Sequence, residues 1–587
     1  MVDFKKAREA AFEFVERTNS IEKINVVVPD RRKGLKRTIE IFRVTIELLR
    51  GGVLTDVVLE IELKQDFPLS LPKIKISQND YEAIKYIPHI DCSRDICYID
   101  SDNLKLDVEN PGGILKYCIN RAKKIIGDGI NGDKLSDFQE EIVAYWENTY
   151  SPKDTVVGGF AGVEMKNIIP GNTFPAYFLN QPYRDTNIYV CGNSDDSDKL
   201  LDYFRFRGHV ISRMEGLFLG HVDEMEPPFF YTNKSLLEFL TMEFESKKNN
   251  LKAYLNKNSF DKKLMMFSSG KKDNPIFFGF FLYPFKTNIK GWRLNKLNAL
   301  DIMLRVYPKE PVIRVRFVDF TPERITKRTD GRNIKNTPYK FVMSGLGSIG
   351  SNLLQYLNNL NVSDFFLIDP EILEVENINR HLLSYNDVGE KKVDGLYKYL
   401  IHNNPFLNID TFGGSVVDAM NLHLKKINEM DFIFCAIGKD PIENYILQGL
   451  TEGIIKVPIF IFWVEPYLIG AHVLYLRPFS SLNLKEMDRD GFYRFNVIDK
   501  SDYLDPEKQL SLKEAGCQGT YLPYGQKEIT LFFSLLMPRL YEMIANPPTE
   551  NRAITYTGDF DDLKELQLTI SDFGQSIGPN KITIKEI

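Results

Sequence analysis

Residues 341–380, FVMSGLGSIGSNLLQYLNNLNVSDFFLIDPEILEVENINR, carry the densest chemistry in the chain. An apolar run at 341–343 reads as a buried strand. Gly345, Gly347 and Gly350 follow as G-x-G-x-x-G, and 351–359 has helical spacing. A second apolar strand, 365–368, ends at Asp369, 19 positions after Gly350. Strand, glycine turn, helix, strand and acid together predict a nucleotide-binding βαβ unit. The glycines let backbone approach phosphate, and the helix start offers unpaired N–H groups and the positive end of its dipole. Asp369 stands about where a ribose-binding acid belongs. The competing reading is a glycine-rich packing turn with no ligand. Up to this point nothing separates ATP from NAD.

The next residues do separate them. Asp369-Pro-Glu371-Ile-Leu-Glu374-Val-Glu376-Asn377-Ile-Asn379-Arg380 resembles the D-x-D-x-V-x-x-S-N-L-N-R-Q signature of the ThiF/MoeB/ubiquitin-activating superfamily, and Gly389-Glu-Lys-Lys392 resembles its G-x-x-K. The resemblance spans about 341–535 and implies ATP-dependent adenylation of a protein's C-terminal carboxylate. Gly345, Gly347, Gly350, Asp369, Asn377, Arg380 and Lys392 would handle ATP. Attack of a carboxylate on an α-phosphate brings two anions together, so Arg380, Lys392 and a Mg²⁺ ion would neutralise the charge. The family ends a later strand with a Mg²⁺-binding aspartate. In the matching run, DFIFCAIGKD at 431–440, Gly438 takes that place and Asp440 follows two positions on. Either Asp440 takes over, or Asp369 and Glu371 suffice. The family also uses an upstream arginine across a dimer interface. Arg324 or Arg328 would serve, against the plainer reading of a solvated basic linker. Cys517, between glycines in a late loop, falls where the family's activating thioester cysteine lies; a surface loop thiol is the alternative.

The N-terminal region holds a second candidate thiol. Phe4, Ala7, Ala11, Phe14 and Val15 recur at helical spacing, and strand-like runs follow at 39–48 and 54–63. A Pro-rich corner, FPLSLP at 67–72, leads to YIPHIDCSRDICYID at 86–100. This order resembles the ubiquitin-conjugating fold, through its Y-P-x-x-P-P segment and H-P-N…I-C loop. By that resemblance Cys97 is the thioester cysteine: a thiolate accepts an acyl group and keeps it reactive toward an amine. The alternative is a buried small hydrophobe. The family's oxyanion-supporting Asn has no counterpart. His89 stands eight positions before Cys97 and either donates to the oxyanion or packs. Cys92 lacks the preceding Ile, and Cys118 sits in a helical apolar stripe that reads as core.

Three further features bound the reading. A chain of 587 residues with net charge −6 is large enough for several cores, and its charge argues against a general nucleic-acid binder. The N-terminus has charges where a signal peptide needs an apolar core, and no apolar run is long enough to span a bilayer, so a cytoplasmic protein with no membrane partner is expected. Six scattered cysteines suggest thiols rather than a disulfide frame. Gly- and Pro-rich composition at 151–171 marks a boundary. The expected class is α/β and α+β multidomain: a ubiquitin-conjugating-like α+β domain at 1–150, a linking α/β domain at 165–322, and a Rossmann-like ThiF/MoeB adenylation domain at 335–587. His209 and His221 lack clustered partners, and the lysine-rich stretch 236–263 reads as a solvated helix face.

The order conjugating-type then activating-type resembles the bacterial activating–conjugating fusion of CBASS antiphage operons. The resemblance implies a homodimer in which an acyl group passes from adenylate to Cys517, then to Cys97, then to an amine on a target. The activated partner would be a cGAS-like nucleotidyltransferase with a free C-terminus, or alternatively a bacterial ubiquitin-like or sulfur-carrier protein. A NAD-dependent dehydrogenase and a nucleotide-sensing scaffold are the readings of other classes. The set Asn377, Arg380, Lys392 speaks against the first, and loss of function on Cys97→Ala and Cys517→Ala would speak against the second.

Overall fold

Phe42, Val44, Ile46 and Leu48 alternate along one strand and Val57, Leu59 and Ile61 along the next, and all are buried. Period-two burial of this kind makes one face of a sheet the core. The sheet is an antiparallel meander of β1 (Ile21–Asp30), β2 (Leu35–Arg50), β3 (Val53–Glu62) and β4 (Lys73–Ile76). Helices α1 (Phe4–Glu16) and α3 (Pro111–Asn131) contribute Ala11, Val15, Ile114, Leu115, Cys118 and Ile126 to the same core. Asn110 caps α3, Pro111 fills its first position, and Gly132 ends it in the left-handed region, so its limits are written locally. The short α2 (Gln78–Ile84) follows β4.

The computed structural model describes residues 3–17, 21–30, 35–50, 53–84, 87–99, 105–132, 137–148, 154–161, 168–181, 184–192, 194–257, 261–272, 275–282, 298–321, 338–480, 488–489, 492–508, 510–513 and 520–587. It divides into two units, Met1–Thr321 and Pro322–Ile587.

The first unit continues with α4 (Asp137–Glu147), α5 (Asp195–Phe206) and a closed barrel of β5 (Val156–Ala161), β6 (Thr173–Gln181), β7 (Arg184–Cys191), β8 (Val210–Val222), β9 (Lys263–Ser269), β10 (Ile276–Leu282) and β11 (Ile313–Asp319). The order round it is β10-β11-β5-β7-β6-β8-β9. Strand β9 is buried at every position. Leu264 and Met266 face one cluster with Phe174, Phe218 and Phe281, while Met265 and Phe267 face another under α6 (Asn233–Glu243) and α7 (Lys248–Asn256). Helix α4 buries Ile142, Tyr145 and Trp146 in this second cluster, against barrel residues rather than against the meander.

The second unit is built on an eight-stranded mixed sheet of β12 (Tyr339–Ser344), β13 (Val362–Ile368), β14 (Asn408–Phe412), β15 (Phe432–Cys435), β16 (Ile459–Val464), β17 (Gly470–Leu476), β18 (Arg552–Thr557) and β19 (Lys581–Glu586), ordered β14-β13-β12-β15-β16-β17-β18-β19. The first five strands are parallel and the last three run antiparallel. Helices α8 (Ser348–Leu357), α9 (Lys392–Asn403), α10 (Val416–Ile427), α11 (Asp440–Thr451) and α12 (Gln526–Ala545) cover it. The chain leaves β12 toward β13 on one side and later places β15 on the other. The crevice beyond their carboxyl ends is therefore a topological switch point, where open parallel sheets bind ligands. Among the described residues no helix is long and apolar enough to cross a membrane.

Candidate active sites

The glycine turn lies at that switch point. Gly345 has φ 81°, and a Cβ there would stand 2.6 Å from the Ala436 carbonyl oxygen. A Cβ on Gly350 would come within 1.9 Å of the Gly345 oxygen, so the first turn of α8 packs directly on the loop before it. Gly347 is different: its missing Cβ faces open space. Two glycines therefore shape the turn and the third leaves room beside it. The cavity there, of about 120 Å³, is walled by Ser344, Gly347, Asp369, Glu371, Ser415 and Lys439. Ser344 Oγ is buried and has no hydrogen-bond partner among the described residues.

Asp369 is buried at the end of β13. Its Oδ2 accepts the Leu346 N–H at 2.6 Å and its Oδ1 accepts the Glu371 N–H at 2.8 Å. Burial pushes its carboxyl above the ordinary range against the pull of those two donors. The acid thus ties the glycine turn to the strand end. The other side of the same turn is held by His381, which sequence reasoning missed. Its Nδ1 accepts the Leu383 N–H at 3.0 Å, which leaves the proton on Nε2 to donate to the Leu346 carbonyl at 2.8 Å. Burial drives this imidazole down to about 4, so it is neutral. Leu346 is pinned by its N–H and its C=O at once.

Cations gather on Glu371. Lys392, buried at the start of α9, places Nζ 2.7 Å from Glu371 Oε2, and Lys439 lies 4.0 Å from Oε1. The Lys392 ammonium holds the Glu371 carboxyl below its ordinary range. Asn377 Oδ1 accepts the Glu374 N–H at 3.1 Å and so caps the turn Val375–Arg380. Arg380 is docked elsewhere: Nη1 donates to the Leu522 carbonyl at 3.0 Å, and its guanidinium lies 5.5 and 5.4 Å from the ring centroids of Tyr521 and Tyr524. Tyr524 in turn bonds Ser348 at 2.5 Å. The structure thus brings Gly345, Gly347, Asp369, Glu371 and Lys392 together. It stands Arg380 against the segment that follows 514–519. Cys517, Arg324 and Arg328 lie outside the described residues, as does the Asp440 side chain. Lys439 and Ser344 also line the cavity without a motif to announce them. Cys435 is buried in β15, as expected of a structural thiol.

In the first unit Cys97 is exposed. It shares a cleft of about 540 Å³ with His89, Asp91, Asp95, Glu141 and Tyr145. The loop closes on itself there: the Cys97 N–H donates to the His89 carbonyl at 2.8 Å, and Ile90 bridges Ile96. His89 has φ 65°, and its Nδ1 stands 2.8 Å from Glu141 Oε1. Cys118 is buried, and burial pushes its thiol up to about 11, which suits core rather than chemistry.

Residues 34–155 match the model of prokaryotic E2 family B, and residues 325–451 match the ThiF family. The ATP-dependent ubiquitin transferase-like protein Cap2 of Pseudomonas aeruginosa is 20% identical over 489 residues, 79% of this chain and 81% of that protein. The protein of the same description from Enterobacter hormaechei is 24% identical over 132 residues, 22% of each chain. Among solved structures, PaaA is 15% identical with a TM-score of 0.28, covering 40% of this chain and 64% of that one. Escherichia coli MccB in a crystal with ATP is 18% identical with a TM-score of 0.27, covering 41% and 65%. This chain thus spans less than two thirds of either solved chain. It joins a prokaryotic-E2-like domain to a ThiF-like domain, the arrangement of an activating–conjugating fusion.

Proposed function

We propose that the enzyme adenylates the C-terminal carboxylate of a protein, relays the acyl group through Cys517 to Cys97, and conjugates it to an amine on a target. The observation that carries this reading is an exposed thiol in a wide cleft on the same chain as a glycine-cradled switch-point cavity. ATP enters as co-substrate. The open face of Gly347, the unpartnered Ser344 hydroxyl and the start of α8 fit its phosphates. Lys392 and Lys439 supply positive charge beside Glu371, where two anions must meet. Arg380 and Asn377 are assigned to the same nucleotide site by resemblance.

Asp369, Glu371 and Asp440 are the residues proposed to hold Mg²⁺, which would neutralise phosphate charge. Among the described residues no three His, Cys, Asp or Glu converge as a cage. Asp369 is engaged by backbone and Glu371 by lysine. That fits an ion carried mainly on phosphates and water, with one or two carboxylates. The acyl donor is proposed to be a cGAS-like nucleotidyltransferase in antiphage defence of the CBASS kind, the enzyme acting as a cytoplasmic homodimer; the fused domain order supports this. Fusion raises the concentration of one thiol for the other, so no encounter step is needed.

The test is a non-reducing gel of the protein expressed with its genomic neighbours and given ATP. Wild type, Cys97→Ala and Cys517→Ala are compared with and without reductant. Two reductant-sensitive adducts are expected, each lost with its own cysteine, and mass spectrometry would separate a nucleotidyltransferase cargo from a ubiquitin-like or sulfur-carrier one. Absence of an ATP-dependent adduct on either thiol would refute the relay.

A further inference from the structure

We propose that Glu141 is a positioning residue for amide formation at Cys97, and that the central barrel is therefore part of the conjugating site. The inference rests on the reading of Cys97 as the conjugating thiol. Glu141 meets His89 twice: Oε1 at 2.8 Å from Nδ1, and Oε2 accepting the His89 backbone N–H at 3.3 Å. Tyr145 OH donates to the same Oε2 at 3.2 Å. His89 adopts φ 65°, a conformation that a residue with a Cβ disfavours, and this posture lets backbone and ring address one carboxylate. Its own carbonyl meanwhile holds the Cys97 N–H. Carboxylate, imidazole and thiol are thus joined through one loop and share one cleft.

What fixes Glu141 is the barrel. Trp146 of the same helix is fully buried among Phe229, Phe278 and Phe280, and its Nε1 donates to the Val315 carbonyl at 3.2 Å. Arg316 of β11 holds Glu147 at 2.6 Å. Other charges at the cleft are occupied: Asp95 lies 3.2 and 3.4 Å from Lys73 and Lys75, and Asp91 accepts the Asp95 N–H. Among the described residues lining the cleft, Asp91, Asp95, Cys97, Tyr145 and Glu147 are the titratable groups besides His89 and Glu141.

The chemistry follows from the pairing. A neutral His89 gives its Nδ1–H to Glu141 and keeps a lone pair on Nε2. A lysine ammonium, with an ordinary pKa of about 10.4, must lose a proton to attack. The amine nitrogen forms a C–N bond to the thioester carbonyl carbon, the C–S bond to Cys97 breaks, and the thiolate leaves. The ammonium first gives one proton to Nε2, and the imidazolium is stabilised by Glu141 before it returns that proton to water; the second proton, lost from nitrogen as the amide forms, passes to the departing Cys97 thiolate.

The test acylates the full-length Cys517→Ala chain on Cys97 with a fluorescent peptide thioester of mercaptoethanesulfonate, then follows discharge to lysine and to hydroxylamine from pH 6 to 9. Hydroxylamine is a far weaker base than lysine, is largely neutral from pH 7 upward and needs no general base there. Glu141→Gln is expected to slow lysine discharge at pH 7 at least tenfold and leave hydroxylamine discharge within twofold. The midpoint of the lysine profile should move to lower pH, because an imidazole without its carboxylate is a weaker base. His89→Asn should slow lysine discharge with no midpoint in that range. Equal slowing of both nucleophiles by Glu141→Gln, or of neither, overturns the assignment while Cys97 stands. If the wild-type thioester fails to form or discharges no faster than the free probe, the reading of Cys97 falls and this inference with it.

Discussion

His381 makes the nucleotide turn acid-sensitive, and the size of the effect can be worked out. In the fold its ring is buried, accepts from Leu383 and donates to Leu346, and protonation is pushed down to about 4 from 6.5. An unfolded chain therefore takes up a proton on this residue first as pH falls. The stability this residue contributes is fully present above pH 6.5, is lost as pH drops, and levels off below 4. Between pH 7 and 5 the loss is about 2 kcal/mol, and over the whole window about 3 kcal/mol. His381→Gln keeps an N–H donor for the Leu346 carbonyl and removes the titration. The assay is hydrogen exchange of the peptide 341–350 at several pH values, corrected for intrinsic rates, in wild type and variant. Asp369, whose carboxyl burial raises, and the nearby Asp387 and Lys392 are present in both, so the difference isolates the ring. The variant should lose about 2 kcal/mol less opening free energy than wild type between pH 7 and 5. Parallel slopes would refute the claim that a neutral His381 pins the turn.

Gly350→Ala should lower the melting temperature and abolish ATP–pyrophosphate exchange, because its Cβ would stand 1.9 Å from backbone; overpacking of this kind costs about 1–3 kcal/mol. Gly347→Ala, with open space around its Cβ, should leave melting unchanged while raising the KM for ATP, which exchange kinetics would read. Arg380→Ala should also abolish exchange; a near wild-type rate would leave Arg380 as a brace for Tyr521 and Tyr524 alone. Trp146→Ala should destabilise the first unit by about 3–5 kcal/mol in urea titrations, since a fully buried indole is removed from an aromatic cluster.

The parts of the fold that local patterns encode were readable beforehand. The glycine spacing, the apolar strands beside it and the terminal acid define the βαβ unit by themselves, and the strand-like runs at 39–48 and 54–63 fall on the two middle strands of the meander. What escaped the sequence depends on long-range neighbours. Asp369 reads as a ligand-facing acid, yet one of its oxygens accepts the Leu346 N–H of the turn and the other the Glu371 N–H just past its own strand. His381 follows Arg380 with no motif of its own, so only the approach of Leu346 reveals its purpose. Helix α4 buries Ile142, Tyr145 and Trp146, but no periodicity states which surface covers them. Strand β9 is buried at every position and β10 is apolar throughout because both faces are covered, and a continuous apolar run of that length does not say whether the sheet is open or closed.

That last ambiguity bears on where the conjugating machinery ends. The prokaryotic E2 family B match stops at residue 155, before the strands that bury Trp146 are complete. A fragment 1–155 would keep the meander, α1, α3 and the exposed Cys97. It would leave Ile142, Tyr145 and Trp146 uncovered on an 11-residue helix. Isolated helices shorter than about 12–15 residues are marginal in water, so α4 should fray and Glu141 should leave His89. The fragment is therefore expected to accept an acyl group from a small thioester yet discharge it to lysine as slowly as Glu141→Gln. A fragment 1–321, which includes the barrel, should discharge it at the full-length rate. If 1–155 alone matches the full-length rate, α4 finds its place without the barrel, and the barrel's contribution to the conjugating site is refuted.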